Sequence, residues 1–359
     1  MASKETRKTE KRKDVEKQWR KGEVRWRFTG DNESEDNSAS RKRTSPRTYV
    51  SVDTSQERDA LVVQTGGPAV LLEDGGNRIE ARHRRTTTSE NPLSTLIVIG
   101  DRVRYMCPES GTAIITHVYH RDTTLSRRMI EQTRMEQVIT ANIDQLLVVA
   151  AATYEQLRPG LIDRYVIAAA MGGIAPLICI NKVDLVDEDS REELDEITAA
   201  YRAAGYSVFS TSCIEGTGFD ELEHALNGHS TALVGQSGVG KTSMLNRLIP
   251  ELHEKTQEVS AQSGRGIHTT TKSTLHKLAG GGHIADTPGI REYGLYHFDK
   301  NDLHTYYPEF QPFARACRLS NCIHVNEPDC AVRDAAMDNL ISALRYRNYL
   351  QIWESEERA

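Results

Sequence analysis

Apolar residues in the region after about residue 50 come in short runs cut by glycine, asparagine and proline. Residues 60–64 stop before Gly66-Gly67-Pro68, residues 69–72 before Asp74-Gly75-Gly76-Asn77 and residues 96–99 before Gly100-Asp101, while residues 111–118 form a further run. Short β-type runs bounded by turn formers are strand signals. Several of them before His120 predict a small closed barrel, with an OB-fold as the leading choice. Within this region Arg78-Ile79-Glu80-Ala81-Arg82-His83-Arg84-Arg85 alternates, so Arg78, Glu80, Arg82 and Arg84 share one face of a strand. That face either contacts phosphates or is a solvated exterior, and spacing alone leaves both readings open.

The period then changes. Residues 145–152 are an unbroken apolar run and predict a buried strand; residues 161–171 predict an apolar helix. A second strand over 174–180, an acidic helix from about 190 to 204 and a third strand over 206–209 follow. Residues 231–234 form a fourth strand before a helix over 243–248, and His283-Ile284-Ala285 begins another that ends at Asp286. Strands alternating with helices imply a parallel α/β sheet. Residues 335–353 have the pattern of one amphipathic helix, with Arg333, Arg345 and Arg347 available to a partner.

Composition sets limits on these elements. A chain of 359 residues exceeds one compact core, so the expectation is multidomain α/β plus β. The expected divisions are a basic tail (1–49), a barrel (50–135), a nucleotide domain (136–297) and a C-terminal helical domain (298–359). No apolar run approaches the length of a membrane span, and the N-terminus lacks the apolar core of a secretory signal. A cytoplasmic protein without membrane contact, and a monomer, is expected. The net charge of −6 hides an asymmetry: residues 1–50 carry 15 Lys+Arg against 9 Asp+Glu, a local +6, which leaves −12 for the rest. The tail has few apolar residues beyond Trp19, Val24, Trp26 and Phe28, so disorder or a loose charged helix is expected there. Its interleaved Arg and aromatic residues either stack on RNA or form a small patch in a solvated tail.

The chemistry is concentrated in one stretch. Gly235-Gln236-Ser237-Gly238-Val239-Gly240-Lys241-Thr242, followed by Ser243, matches the phosphate-loop pattern at every fixed position and lies between a predicted strand and a predicted helix. Its backbone amides would cradle phosphates, Lys241 would reach the β/γ oxygens, and the Thr242 hydroxyl suits Mg²⁺. Asn181-Lys182-Val183-Asp184 follows the 174–180 strand, where the Asp184 carboxylate can accept from the guanine N1–H and amino group. Ser210, Thr211 and Ser212 follow the next strand, in the place of the segment that supports the base. Asp286-Thr287-Pro288-Gly289 offers a carboxylate for the Mg²⁺ shell and the Gly289 amide for the γ-phosphate. Between these, the segment 264–271 carries His268 and hydroxyls, Thr270 among them, that can reach Mg²⁺.

The order of these motifs is anomalous. The base-reading Asn181 to Asp184 precede the phosphate loop, whereas ordinary GTPases have the reverse order. A site needs only its spatial arrangement, so the order implies a circularly permuted P-loop GTPase domain that binds GTP or GDP. Ile290 stands where Ras-like enzymes place a water-orienting Gln after the D-x-x-G. His268 is the nearest substitute in sequence, the other reading being an exposed loop histidine. Slow intrinsic hydrolysis, accelerated by a partner that orders residues 264–271, is the expectation.

Cys317, Cys322, His324 and Cys330 lie within 14 residues. Three thiolates and one imidazole make a closed tetrahedral set for one structural Zn²⁺, with no open position for catalysis; buried free cysteines are the other reading. The remaining cysteines, Cys107, Cys179 and Cys213, are isolated, so no disulfide framework is implied.

Taken together, the chain from about Ser51 onward resembles the ribosome small subunit-dependent GTPase A (RsgA) family. The residues that carry the likeness are Val98-Ile99-Gly100-Asp101-Arg102-Val103, the run 136–147, the permuted motif order, Gly266-Ile267-His268-Thr269-Thr270-Thr271, Asp286 to Gly289, Tyr307-Pro308-Glu309-Phe310, and the cysteine cluster with Glu327-Pro328. The resemblance implies an N-terminal OB-fold β-barrel, a permuted GTPase domain and a C-terminal α-helical zinc-binding domain. It implies a bacterial factor that binds the small ribosomal subunit and its rRNA late in maturation. Hydrolysis would be stimulated by the subunit and coupled to release, with the residue matching His268 as the catalytic group. The long polar tail and the segment 81–85, only loosely like the family's Arg-Gly-Lys stretch, depart from the pattern. A GTP-gated RNA-binding scaffold with incidental hydrolysis is the alternative, and signalling through a protein partner ranks last because it leaves the barrel and the cysteine cluster unexplained.

Overall fold

The structure, a computed structural model, describes residues 57–66, 69–91, 94–108, 112–127, 137–153, 156–252, 273–286 and 300–357. The tail of residues 1–49 lies outside the described residues, and residues 52–359 form one compact unit.

Five strands make the barrel: β1 (Arg58–Thr65), β2 (Val70–Asp74), β3 (Asn77–Ser89), β4 (Arg102–Met106) and β5 (Ala113–Val118). They pair in the order β1-β2-β3-β5-β4, and β4 returns to β1 to close the ring, with β3 and β5 parallel. Closure removes the free edges that an open sheet of this size would expose. Val62, Leu72, Ala81, Val103, Tyr105, Ile115 and Val118 fill the interior. The alternation in β3 is realised: Ala81 is buried, while Arg78, Glu80, Arg82 and Arg84 are exposed.

Residues 96–99, read as a strand from their apolar run, form only a single bridge between Ile99 and Thr140. The reason is a buried ion pair. The Asp101 carboxylate accepts from Arg121 Nε at 2.7 Å and Nη2 at 2.9 Å, and from the Val98 amide at 2.8 Å. The same guanidinium donates to Ser94 Oγ and the Thr95 carbonyl, each at 2.8 Å. The run is therefore held as a loop around Arg121, and the strand begins at Arg102. A hairpin of β6 (Thr124–Arg127) and β7 (Gln137–Ala141) leads into the second sheet.

That sheet contains β8 (Gln145–Ala151), β9 (Ala175–Asn181), β10 (Ser207–Thr211), β11 (Ser230–Gly235), β12 (Ser273–Lys277) and β13 (His283–Asp286), in the order β10-β9-β8-β11-β13-β12. All neighbours are parallel except β12, which pairs antiparallel with β13. Helices α1 (Pro159–Met171), α2 (Glu188–Ala203), α3 (Phe219–Leu226) and α4 (Lys241–Leu248) accompany the sheet. Pro159 opens α1, where its missing N–H costs nothing, and the Asp187 carboxylate caps α2 by accepting from the Ser190 amide at 2.9 Å. Alternate residues of the buried strands feed two cores: Leu146, Val148, Ile178 and Ile180 pack toward α1 and α2, and Leu147, Val149, Cys179 and Leu233 toward α3 and α4. The barrel joins this sheet directly, because β1 also pairs antiparallel with β12 at Gln64–Thr274 and Thr65–Ser273.

The C-terminal segment is helical in part. Short 3-10 turns at Lys300–Tyr306 and Pro308–Phe310 precede α5 (Gln311–Ala314), α6 (Ala331–Met337) and α7 (Ala343–Glu357), with an irregular cysteine-bearing loop between α5 and α6. Tyr307, Phe310, Val332, Tyr349 and Ile352 are buried in the same core as α1 and β8. The single helix expected over 335–353 is two helices. Asn339 turns left-handed at φ 58°, and the Leu340 and Ile341 amides donate back to the Ala335 carbonyl, which closes α6. Arg345, expected to face a partner, is instead 1% exposed and paired with Asp163 and Glu309. Arg347 is exposed, and Arg333 Nη1 donates to the Glu327 carbonyl at 3.0 Å. Among the described residues, no helix is long and apolar enough to cross a membrane.

Candidate nucleotide site and metal cluster

The chemistry-bearing segments meet at one edge of the α/β sheet. Gly235 ends β11, Asn181 ends β9, Thr211 ends β10 and Asp286 ends β13. The register pairs Gly235 with Val149, Asn181 with both Ala151 and Thr211, and Asp286 with Leu233. The carboxyl ends of parallel strands are where open α/β sheets hold ligands, because loops and helix N-termini converge there. Permuted chain order therefore leaves the spatial order of the site intact.

Two glycines let the phosphate loop lie close to its neighbours. Gly235 has φ 146°, and a Cβ there would collide with the Val149 carbonyl oxygen; Gly240 has φ 101°, and a Cβ there would collide with Asn181 Nδ2. Gly240 caps α4, so the helix N-terminus points its free amides into the site, with Thr242 and Ser243 half-buried in the first turn. Val239 is fully buried and anchors the loop, while Gln236 and Gly238 are half-buried and Ser237 is exposed. Lys241 Nζ donates to the Gly235 carbonyl at 2.8 Å and the Gln236 carbonyl at 2.6 Å, which folds the ammonium over the loop.

Asn181 is the hub between loop and base segment. It is 1% exposed, and its Nδ2 donates to the Val239 carbonyl at 2.9 Å. Its Oδ1 accepts from Thr211 Oγ1 at 3.1 Å and from the Cys213 thiol at 3.4 Å. Thr211 has one proton to give and directs it to Asn181, so the Cys179 thiol, 3.2 Å away, donates to Thr211. Lys182 turns left-handed at φ 66°, which starts the 3-10 turn Val183–Leu185 and leaves Asp184 half-buried. Ser212 is fully buried and its Oγ accepts from the Glu215 amide at 3.1 Å, whereas Ser210 is exposed. The sequence offered no signal for Cys179 and Cys213 beyond isolated thiols; only the pairing of β9 with β10 brings Cys179 to Thr211 and Cys213 to Asn181. Asp286 is lifted above the usual carboxylate range by burial, with Lys241 drawing it back. A cation beside it would favour the charged form further. His268, Thr270 and Gly289 lie outside the described residues.

The second site is the cysteine cluster. The ligand atoms of Cys317, Cys322, His324 and Cys330 all lie within 4.8 Å of one another. His324 Nδ1 is 3.5 Å from the sulfurs of both Cys317 and Cys330. Tetrahedral bonds of about 2.3 Å to sulfur and about 2.0 Å to nitrogen place such a pair about 3.5 Å apart, so these separations match what a tetrahedral metal would require. Burial holds His324 near 4 and thus neutral, as a ligand must be, and pushes the Cys322 thiol to about 12, a penalty that a bound cation would reverse. His324 is left-handed at φ 62°, and the Glu327 carboxylate accepts from the amides of Ile323, Val325 and Asn326, folding the loop around the cluster. The residues present fit a four-coordinate metal.

A phosphate loop on a central strand, a guanine-type tetrapeptide on an earlier strand and a sheet entered out of the usual order define the class: a circularly permuted P-loop GTPase carrying a barrel. The model of the RsgA GTPase family matches residues 118–296. The small ribosomal subunit biogenesis GTPase RsgA of Gemmatimonas aurantiaca is 38% identical over 301 residues, covering 83% of this chain and 97% of that protein. The protein of the same name from Bacteroides fragilis is 34% identical over 298 residues, covering 83% and 96%. The crystal structure of YjeQ from Thermotoga maritima superposes with a TM-score of 0.67 at 31% identity, covering 83% of this chain and 98% of that one. YloQ, described as a circularly permuted GTPase, shares the fold with a TM-score of 0.64 at 24% identity. This chain belongs to the RsgA GTPase family, and it is a GTP hydrolase.

Proposed function

We propose that this chain is a cytoplasmic, monomeric GTPase of small ribosomal subunit biogenesis, whose turnover is stimulated by the subunit and coupled to its release. Asp184 reads guanine, with Asn181 and Lys182 shaping the base site and Ser210, Thr211 and Ser212 supporting it from β10. The amides of Gly235 to Thr242 and Ser243 hold the phosphates, and Lys241 leaves its carbonyl partners for the β/γ oxygens. Thr242, Thr270 and Asp286 would hold Mg²⁺, which supplies charge neutralisation on the phosphates when bound. His268 orients the attacking water, and the Gly289 amide meets the γ-phosphate. Cys317, Cys322, His324 and Cys330 would hold one structural Zn²⁺. The exposed Arg78, Arg82 and Arg84 of β3 meet rRNA phosphates.

The observation that supports this most is the convergence of Gly235, Asn181, Thr211 and Asp286 at one sheet edge in a chain carrying an arginine-faced barrel. The test is GTP turnover with purified ribosomal subunits. Small subunits should raise it by orders of magnitude and large subunits little; equal rates with and without small subunits overturn the proposal. In the same assay His268→Ala should lose the stimulated rate, and an undiminished rate removes His268 from the mechanism. The exposed arginines also favour a second reading, a GTP-gated RNA scaffold, which predicts nucleotide-dependent sedimentation with small subunits but no stimulated turnover.

A further inference from the structure

Arg345 is buried, and its charged and aromatic partners lie on the C-terminal segment and the nucleotide domain at their junction. Its Nη1 donates to Asp163 Oδ1 in α1, and its Nε donates to Glu309 Oε1 at 2.7 Å. The guanidinium carbon lies 5.1, 5.4 and 4.6 Å from the ring centres of Tyr201, Tyr206 and Tyr307. Asp163 is fully buried and completes its shell with Tyr201 Oη at 2.8 Å and Asn348 Nδ2 at 2.8 Å. Two carboxylates and one guanidinium thus meet at one junction, with Asp163 and Arg345 buried and Glu309 largely so.

A buried charge cluster is not needed for packing. Well-fitted apolar residues in the same volume are often as stable or more so, whereas removing one charged partner is costly. An apolar seam slides at small cost, but a slide here would strand Asp163 and Arg345 without partners.

The start of α1 lies near the phosphate loop: Gln156 and Arg158 before the helix and Ile162 and Tyr165 within it line a partly open pocket together with Gln236 and Val239 of the loop and residues 148–150 of β8. Residues of α1 and of the loop thus line one pocket, which gives a shift of α1 a short route to the loop. Ile162 lines this cavity and its neighbour Asp163 holds Arg345.

We propose that Asp163 and Arg345 are positioning residues for GTP binding and hydrolysis: through α1 their ion pair ties the register of the C-terminal segment to the conformation of the phosphate loop. The link is independent of the segment 287–299 that joins Asp286 to the C-terminal residues in sequence, and it is independent of any ribosomal partner.

Coupling of this kind is reciprocal, so nucleotide must change the stability of α7 by the factor by which α7 docking changes nucleotide affinity. The experiment is hydrogen exchange of the α7 amides in the full chain, with and without a non-hydrolysable GTP analogue, beside calorimetric GTP affinity. In the wild type the analogue should change α7 exchange several-fold. In Arg345→Met, which keeps the volume and removes the charge, that nucleotide dependence should vanish and the GTP dissociation constant should rise about fivefold, with Arg345→Lys restoring part of both. A general loss of stability would speed exchange in both states alike and leave their ratio unchanged. If Arg345→Met does not fold, Asn348→Ala removes one partner of Asp163 and should reduce the ratio in part. Exchange of α7 that ignores nucleotide in the wild type, or that responds equally in a folded variant, overturns the proposal.

Discussion

Asn181 has a short side chain with three protein partners, and its amide orientation is set by them. Thr211 and Cys213 donate to its oxygen, which forces its nitrogen toward the Val239 carbonyl. The phosphate loop is thereby fastened to the strand that carries the guanine-type tetrapeptide. Thr211→Val keeps the shape of the side chain and removes the stronger donor. A buried hydrogen bond contributes about 1 kcal/mol net and leaving its partner unsatisfied costs about 1–3 kcal/mol, so GTP and GDP should each bind about tenfold more weakly. Calorimetry reads this directly: the two nucleotides should weaken alike, Thr211→Ser should restore affinity, and unchanged affinity in Thr211→Val would mean that Asn181 does not need the hydroxyl. The tetrapeptide was legible as a motif, but this support was not. Thr211 is 30 residues from Asn181 in sequence, and its role comes from the parallel pairing of β9 and β10.

Among the elements, the clearest contrast is between strands and their ends. The buried strands β8, β9 and β11 were readable because a strand covered on both faces must be apolar at consecutive positions. The run 96–99 has the same local character and is a loop, because the desolvated Asp101–Arg121 pair claims the surrounding backbone. The pattern over 335–353 likewise has helical spacing on both sides of a left-handed Asn339 that periodicity does not register. The cysteine-bearing loop is irregular, yet its Cys322 and Cys330 and the neighbouring Tyr307, Phe310 and Tyr349 belong to the same core as α1 and β8. If the cluster holds the proposed metal, stripping it with a strong chelator should lower the melting midpoint of the whole unit from residue 52 onward, rather than release a separately melting module. Calorimetry with metal analysis checks this. A transition unmoved after loss of one metal equivalent would mean that the cluster is not structural.

At the scale of the whole molecule, two continuities decide how the parts act on one another. The barrel hydrogen-bonds to the α/β sheet through β1 and β12, and β12 lies beside β13, which ends at Asp286. The C-terminal segment pairs through Arg345 with Asp163 of α1, and α1 lines a pocket together with Gln236 and Val239 of the phosphate loop. The barrel thus reaches Asp286 through two hydrogen-bonded strands, and the C-terminal segment reaches α1 through a buried ion pair.

The sequence by itself determined the class: the phosphate loop, the tetrapeptide and their permuted order are local strings that mark a permuted GTPase, and the cysteine set is a local string that could hold a metal. It also determined the barrel and the parallel sheet, since strand burial writes itself into residue periodicity. Only the tertiary structure decided which side chains those strings lean on. Arg345 reads as a surface arginine because helical periodicity records the face of an isolated helix, whereas its burial depends on Asp163, 182 residues away, being carried to the same point. Desolvation and pairing are properties of the assembled volume, and no local pattern encodes them.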